Sequence, residues 1–132
     1  MSHPALAITP RRHRRTVLVE LRGELDLVTA SDVRAAIDDL NPQADGVRHI
    51  VLDLRGLTFM DARGLCEVLN QNAFARENHH NLALVRGPPV VQLLLECTDT
   101  ERLFVLVDAP DDLTPRTPLA LVRDDCAGDR GD

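Results

Sequence analysis

A chain of 132 residues and 14.6 kDa holds enough surface for one hydrophobic core, which excludes a second catalytic domain. Its 44 % apolar and 27 % charged residues are a globular balance, and no apolar run approaches the about 18 residues of a membrane span, so a soluble protein without a membrane partner is expected. All 15 basic residues are Arg; without Lys the chain cannot be a P-loop ATPase, a Schiff-base enzyme or a protein kinase, and a formal charge of −6 with no Trp, no Tyr and three Phe argues against nucleic acid as a partner.

The amino terminus places its charges after a short alternating stretch, the wrong order for a secretory signal, so a cytoplasmic location is expected. Ala5 to Thr9 and Thr16 to Arg22 read as an opening pair of strands around the cluster Arg11-Arg12-His13-Arg14-Arg15. That cluster reads as a solvated turn in preference to a phosphate grip. Val33, Ala36, Ile37 and Leu40 then recur at helical spacing, with Thr29 as N-cap and Asp32 in the first turn. Asn41-Pro42 ends this helix. Ile50 to Leu54 is a continuous apolar run, the pattern of a central strand covered on both faces.

From Ala62 a second helix carries Leu65, Cys66, Leu69 and Ala73 on one face, with Asp61 as N-cap and Asn78-His79-His80 at its close. Leu82 to Val85 is another buried strand. Gly87-Pro88-Pro89 opens a third helix with Val90, Leu94 and Cys97 on one side, and Phe104 to Val107 is a last strand. Two strands followed by alternating helix and strand predict an α/β fold: a mixed sheet, antiparallel at its start and then parallel through βαβ units, with helices packed on it. Residues 1–107 are the expected domain. Residues 108–132, with seven acids, three Arg and Pro110, Pro115 and Pro118, are expected to be a mobile acidic tail, in which Pro118 could start a short helix over Leu119 to Val122.

Searches for catalytic or cofactor constellations fail. Only Ser2 and Ser31 are present, no G-x-S-x-G or G-x-G-x-x-G occurs, and His79-His80 lack a third metal ligand, so they read as partners of a helix C-terminus. Cys66, Cys97 and Cys126 form no C-x-x-C pair and are an odd number, which predicts reduced thiols, the first two as small buried hydrophobes. Asp26 and Asp61 have no nucleophile beside them, and their expected work is capping and loop geometry. The chain is not expected to be an enzyme or to carry a cofactor.

Gly23-Glu24-Leu25-Asp26 with Thr29-Ala30, Leu52-Asp53-Leu54 with Phe59-Met60-Asp61 and Gly64-Leu65, then Arg86-Gly87-Pro88-Pro89-Val90-Val91, Leu94-Leu95-Glu96 and Glu101-Arg102-Leu103-Phe104 are ordered blocks spanning about residues 5 to 107. Together they resemble the STAS domain of bacterial anti-sigma factor antagonists. The resemblance implies a regulatory module that binds an anti-sigma factor of the Ser/Thr kinase type and so controls sigma-factor-dependent transcription. It also implies release by phosphorylation of a Ser at the start of the second helix, where free N–H groups and the helix dipole favour phosphate. Here that acceptor position is Ala62, within Met60-Asp61-Ala62-Arg63-Gly64-Leu65, so the ordinary switch is absent.

The resemblance carries the partner surface to Asp26, Thr29, Thr58, Met60, Asp61, Ala62, Arg63, Gly64 and Leu65; of these, Met60, Leu65 and Arg63 at the second-helix start and Asp26 on the neighbouring loop are expected to form one continuous exposed surface. Thr58 and Thr29 hold hydroxyls that could replace the acceptor, against their plainer reading as loop residue and cap. Arg63 opposes the helix dipole; an ion pair with Asp61 or Asp26, or an acid on a partner, would compensate it. Two other readings stay open. One is a ligand or nucleotide sensor with an anion held by the second helix N-terminus beside Arg55 and Arg63; the other is a structural subunit of a larger assembly. The oligomeric state is open.

Overall fold

The computed structural model describes residues 5–42 and 46–110. The tail beyond Pro110, including the possible helix after Pro118, lies outside the described residues. Five strands and three helices follow in the order β1 (Leu6–His13), β2 (Thr16–Leu25), α1 (Ala30–Asp39), β3 (His49–Met60), α2 (Ala62–Glu77), β4 (Asn81–Val85), α3 (Pro89–Cys97) and β5 (Val105–Val107), with one 3-10 turn over Glu101–Leu103 before β5. The sheet order is β1-β2-β3-β4-β5, with β1 antiparallel to β2 and every later pair parallel. The mixed sheet and its central strand are as the sequence predicted.

Arg11, Arg12 and His13 belong to β1, so the hairpin turn is Arg14-Arg15 alone, with Arg14 in the left-handed region at φ 56°. Arg11 pairs across to Glu20 at 3.3 Å. The charged cluster is therefore divided between a strand and a tight turn.

β3 runs six residues beyond Leu54, where the sequence reading ended it. Residues three apart on a regular strand point to opposite faces. Two register shifts against β2, between Glu20 and Arg22 and between Gly23 and Glu24, each give β3 one extra residue, and in consequence Leu54, Leu57 and Met60 are all buried. The period of two that marks a strand is broken by these bulges, which is why the sequence conceals its far half.

All three helices contribute to one core on one side of the sheet: Val33 and Ile37 from α1, Leu65, Val68 and Ala75 from α2, and Val91 and Leu95 from α3, against Val19, Leu52, Leu54 and Leu84. The opposite side holds a smaller cluster of Val51, Ala83 and Val85 with Leu18 and Val107 packed against it.

Two helix faces differ from the sequence expectation by about one residue. Cys66, Ala73 and Cys97 are exposed, and Val90 is 48 % exposed. On α2 the inward face includes Glu67 and Gln71, which hydropathy assigns to the outside. Gln71 Nε2 donates to Glu67 Oε2 at 2.8 Å, and Arg34 of α1 donates to Glu67 Oε1 at 3.3 Å. On α3 almost every position is apolar, so its period is ambiguous, and packing selects Val91 and Leu95.

Each helix ends on a left-handed residue, Asn41, His79 or Asp99. At α2 the His79 N–H donates to the Arg76 carbonyl and the His80 N–H to the Ala75 carbonyl, the paired bonds that satisfy carbonyls at a helix end. The two histidines thus close α2 through their backbones.

Candidate functional site

The strand ends Leu25 and Met60 are paired, and the loops that follow them lead into α1 and α2 at one end of the sheet. The Asp61 N–H donates to the Leu25 carbonyl at 3.2 Å, tying the two loops together.

In the first loop, Asp26 organises the backbone. Its Oδ1 accepts the N–H groups of Val28 at 3.0 Å and Thr29 at 3.1 Å. The Thr29 hydroxyl donates to the Glu24 carbonyl at 2.8 Å and accepts from the Asp26 N–H at 3.0 Å. Thr29 occupies the N-cap position of α1 but its side chain makes no cap bond, because these loop contacts already use it. This corrects the expectation of a capping Thr29. The result is a rigid loop that turns Leu27 and Val28 outward, 64 % and 79 % exposed.

In the second loop, Asp61 is the N-cap as the sequence predicted, with Oδ1 accepting the Gly64 N–H at 2.9 Å. Gly64 is fixed by close approach: a Cβ there would collide with the Leu25 carbonyl oxygen and lie 2.9 Å from Leu25 Cγ. The first turn of α2 therefore rests directly on the end of β2. Ala62 is the first residue of α2 and is exposed, as is Arg63 beside it. No ion pair of Arg63 with Asp26, Asp61 or any other acid forms among the described residues.

The expected continuous surface is only partly present. Met60, Gly64, Leu65 and Thr29 are buried, Met60 and Leu65 because the bulges and the α2 period turn them into the core. Asp26 and Asp61 are half-buried, with their carboxylates spent on backbone N–H groups. Thr58, Ala62 and Arg63 are exposed, and the Thr58 hydroxyl donates to the Gly23 carbonyl at 3.2 Å.

Sequence reasoning missed Leu27, Val28 and Phe59, the last 42 % exposed. The available signal was an apolar pair between two loop-forming residues, Asp26 and Thr29, outside the α1 period. The exposed part of this end combines Leu27, Val28, Phe59 and Ala62 with the polar Glu24 and Thr58 and the cation of Arg63, a mixed composition suited to a protein partner.

Arg55, assigned to an anion site at the α2 N-terminus, lies elsewhere. It grips both carboxylate oxygens of the buried Asp53 at 3.1 and 3.0 Å, and the two line a cavity of about 340 Å³ with Arg22 and Glu20. Alternation along β3 puts Asp53 and Arg55 with Val51, on the side of the sheet away from the helices. The anion-sensor reading loses that cation. Among the described residues no cluster of three His, Cys, Asp or Glu side chains could hold a metal, and no helix is long and apolar enough to cross a membrane.

Comparison with known proteins places these features. The family model described as Mlab, STAS domain, matches residues 8–108. An anti-sigma F factor antagonist from Paenibacillus polymyxa is 32 % identical over 103 residues, covering 78 % of this chain and 87 % of the relative. Among solved structures, the anti-sigma factor antagonist SpoIIAA in its unphosphorylated form superposes with a TM-score of 0.69 at 22 % identity, covering 83 % of this chain and 95 % of the other. An anti-sigma factor antagonist from Mycobacterium paratuberculosis gives 0.68 at 24 % identity, covering 85 % and 94 %. These two likenesses are of fold.

Proposed function

The chain belongs to the STAS domain family, and on that premise we propose that it is a non-catalytic regulatory module that binds an anti-sigma factor of the Ser/Thr kinase type and thereby controls sigma-dependent transcription. The loops before α1 and α2 form the binding surface in this reading, with Leu27, Val28 and Phe59 as apolar contacts and Arg63 as the charged one.

One observation carries the mechanism: the exposed first residue of α2 is Ala62. The free N–H groups and positive dipole of a helix start would welcome a phosphate, whose near −2 charge would rewrite the surface. Ala62 has no hydroxyl to accept one. A partner kinase therefore finds the docking surface but no acceptor there, and the complex persists in the presence of ATP.

Arg63 supports the same reading. A cation in the first turn opposes the dipole by a few tenths of a kcal/mol, and no neighbour among the described residues pairs with it. An acid on the partner gives that cost a purpose.

Co-purification from the native host with mass spectrometry tests the reading. It is supported by recovery of an anti-sigma factor with a kinase domain, lost with Leu27→Asp. Recovery of a transporter or scaffold component alone would replace it with the structural-subunit reading.

A further inference from the structure

The arginine cluster of the β1–β2 hairpin takes no part in the partner surface at the helix starts, and the fold enlarges it. β2, β3 and β4 are parallel, so their first residues all lie at the end of the sheet away from the loops before α1 and α2. There the N–H groups of Arg48 and His49 donate to the Arg15 carbonyl at 2.8 and 3.0 Å, and the Asn81 N–H donates to the Arg48 carbonyl at 2.8 Å. Arg12 Nε donates to the Arg14 carbonyl at 3.2 Å. These bonds hold Arg14-Arg15, Arg48-His49 and the end of His79-His80 side by side. Three segments far apart in sequence thus form one basic row on a chain of net charge −6.

Arg14, Arg15, Arg48 and His79 are exposed, and none of the three Arg forms an ion pair with an acid among the described residues. The half-buried His80 feels the same field, since burial, then His79 and then Arg48 hold it below its ordinary value. The row also costs the fold something. Arg14 holds φ 56°, a conformation that Gly or Asn adopts with less strain, and Arg15 sets a like charge beside it in the tight turn. Turn formation alone does not select two Arg here, whereas an anionic partner does.

The size and composition of the row decide among anions. It exposes no aromatic or large apolar side chain, so it offers neither a platform for bases nor a wedge for a bilayer. Three Arg are fewer than the about four to eight basic residues of a lipid-binding cluster or the about six to ten phosphate contacts of a duplex binder. Exposed Asp38, Asp39 and Glu77, at the close of α1 and α2, stand at the same end of the sheet and would repel a broad anionic surface. A short segment avoids them. The guanidinium fork matches a carboxylate through two parallel bonds, and from Arg15 to Asn81 is two strand spacings, about 10 Å, the span of about three extended residues.

We propose that the row of Arg14, Arg15, Arg48, His79 and His80 docks a short acidic segment of a partner protein, extended across the starts of β2, β3 and β4 with carboxylates on the three Arg. This surface lies at the opposite end of the sheet from the α2 start and stands apart from the anti-sigma reading, and both ends can be occupied at once.

The test titrates the isotope-labelled full-length chain with a synthetic peptide of alternating glutamate and threonine, about ten residues long so that it exceeds the row, and follows amide chemical shifts. Signals of Arg15, Arg48, His49 and Asn81 should move and saturate while those of Ala62 and Leu65 stay, and the same peptide with glutamine for glutamate should move nothing. Arg14→Asn and Arg48→Gln should each weaken the affinity about fivefold, with the melting temperature held, or raised for Arg14→Asn because Asn suits the left-handed turn. Arg86→Gln, an equal charge change just beyond the other end of β4, should leave the affinity as it is. Unmoved signals in the row, equal weakening by Arg86→Gln, or tighter binding of the same chain to phosphatidylserine vesicles or to a DNA duplex would overturn the proposal.

Discussion

In the first turn of α2, Ala62 and Gly64 do different work, and single substitutions separate them. Ala62→Asp places a carboxylate where the dipole favours it by about 0.3–1 kcal/mol, so melting should hold, whereas the same charge in a desolvated contact should lower partner affinity by about 2 kcal/mol or more. Calorimetric titration beside a thermal melt reads both; an unchanged affinity would remove this surface from the interface. Gly64→Ala has the opposite signature. Its new Cβ would meet the Leu25 carbonyl, and overpacking of that kind costs about 1–3 kcal/mol, read as a lower urea midpoint at unchanged m-value. Farther along, burial, then His79 and then Arg48 hold His80 below its ordinary value of 6.5. The folded state therefore favours neutral His80. Its contribution to stability is complete above the ordinary value and lost as pH falls through the depressed one. The wild type should lose more melting temperature than His80→Gln on acidification from about pH 7.5 to 5.5, the range in which histidine titrates; equal slopes would contradict this.

Elements were legible where their signals are local and obscured where packing or charge overrides them. Asp61 as the α2 cap, Pro89 at the α3 start and the antiparallel opening of the sheet were all readable, since each depends on residues adjacent in sequence. The second half of β3 was not, because bulges replace its period of two with a spacing of three over Leu54, Leu57 and Met60. The inner face of α2 was misread because it contains Glu67 and Gln71, polar residues that meet each other and Arg34 between two helices. Removing Glu67 should show what that seam does. Glu67→Ala strands the buried Gln71 amide and should cost about 1–3 kcal/mol, while Glu67→Gln preserves a hydrogen bond and should cost less. Chemical denaturation of the two variants checks the order, and equal losses would mean that volume, not hydrogen bonding, matters there.

For the whole molecule, the order of elements along the chain, the mixed sheet and the family resemblance were visible because they rest on several ordered blocks. Which residues are exposed at the end of the sheet before α1 and α2 was not, because a motif gives positions without directions: of the nine residues expected at the partner surface, Met60, Gly64, Leu65 and Thr29 are buried, while Leu27, Val28 and Phe59 project instead. What remains from the motif is the substitution at its centre. If Ala62 removes the acceptor as proposed, the surface charge at this helix N-terminus does not change, and association with a kinase partner should be insensitive to ATP. The most direct measurement is the affinity for the captured anti-sigma factor before and after incubation with ATP, with intact mass recorded on the same samples. The wild type should keep both its affinity and its mass, and Ala62→Ser should gain one phosphate and bind more weakly. A wild-type chain that gains phosphate and loses affinity would contradict the account and make another hydroxyl, with Thr58 the exposed candidate, the switch.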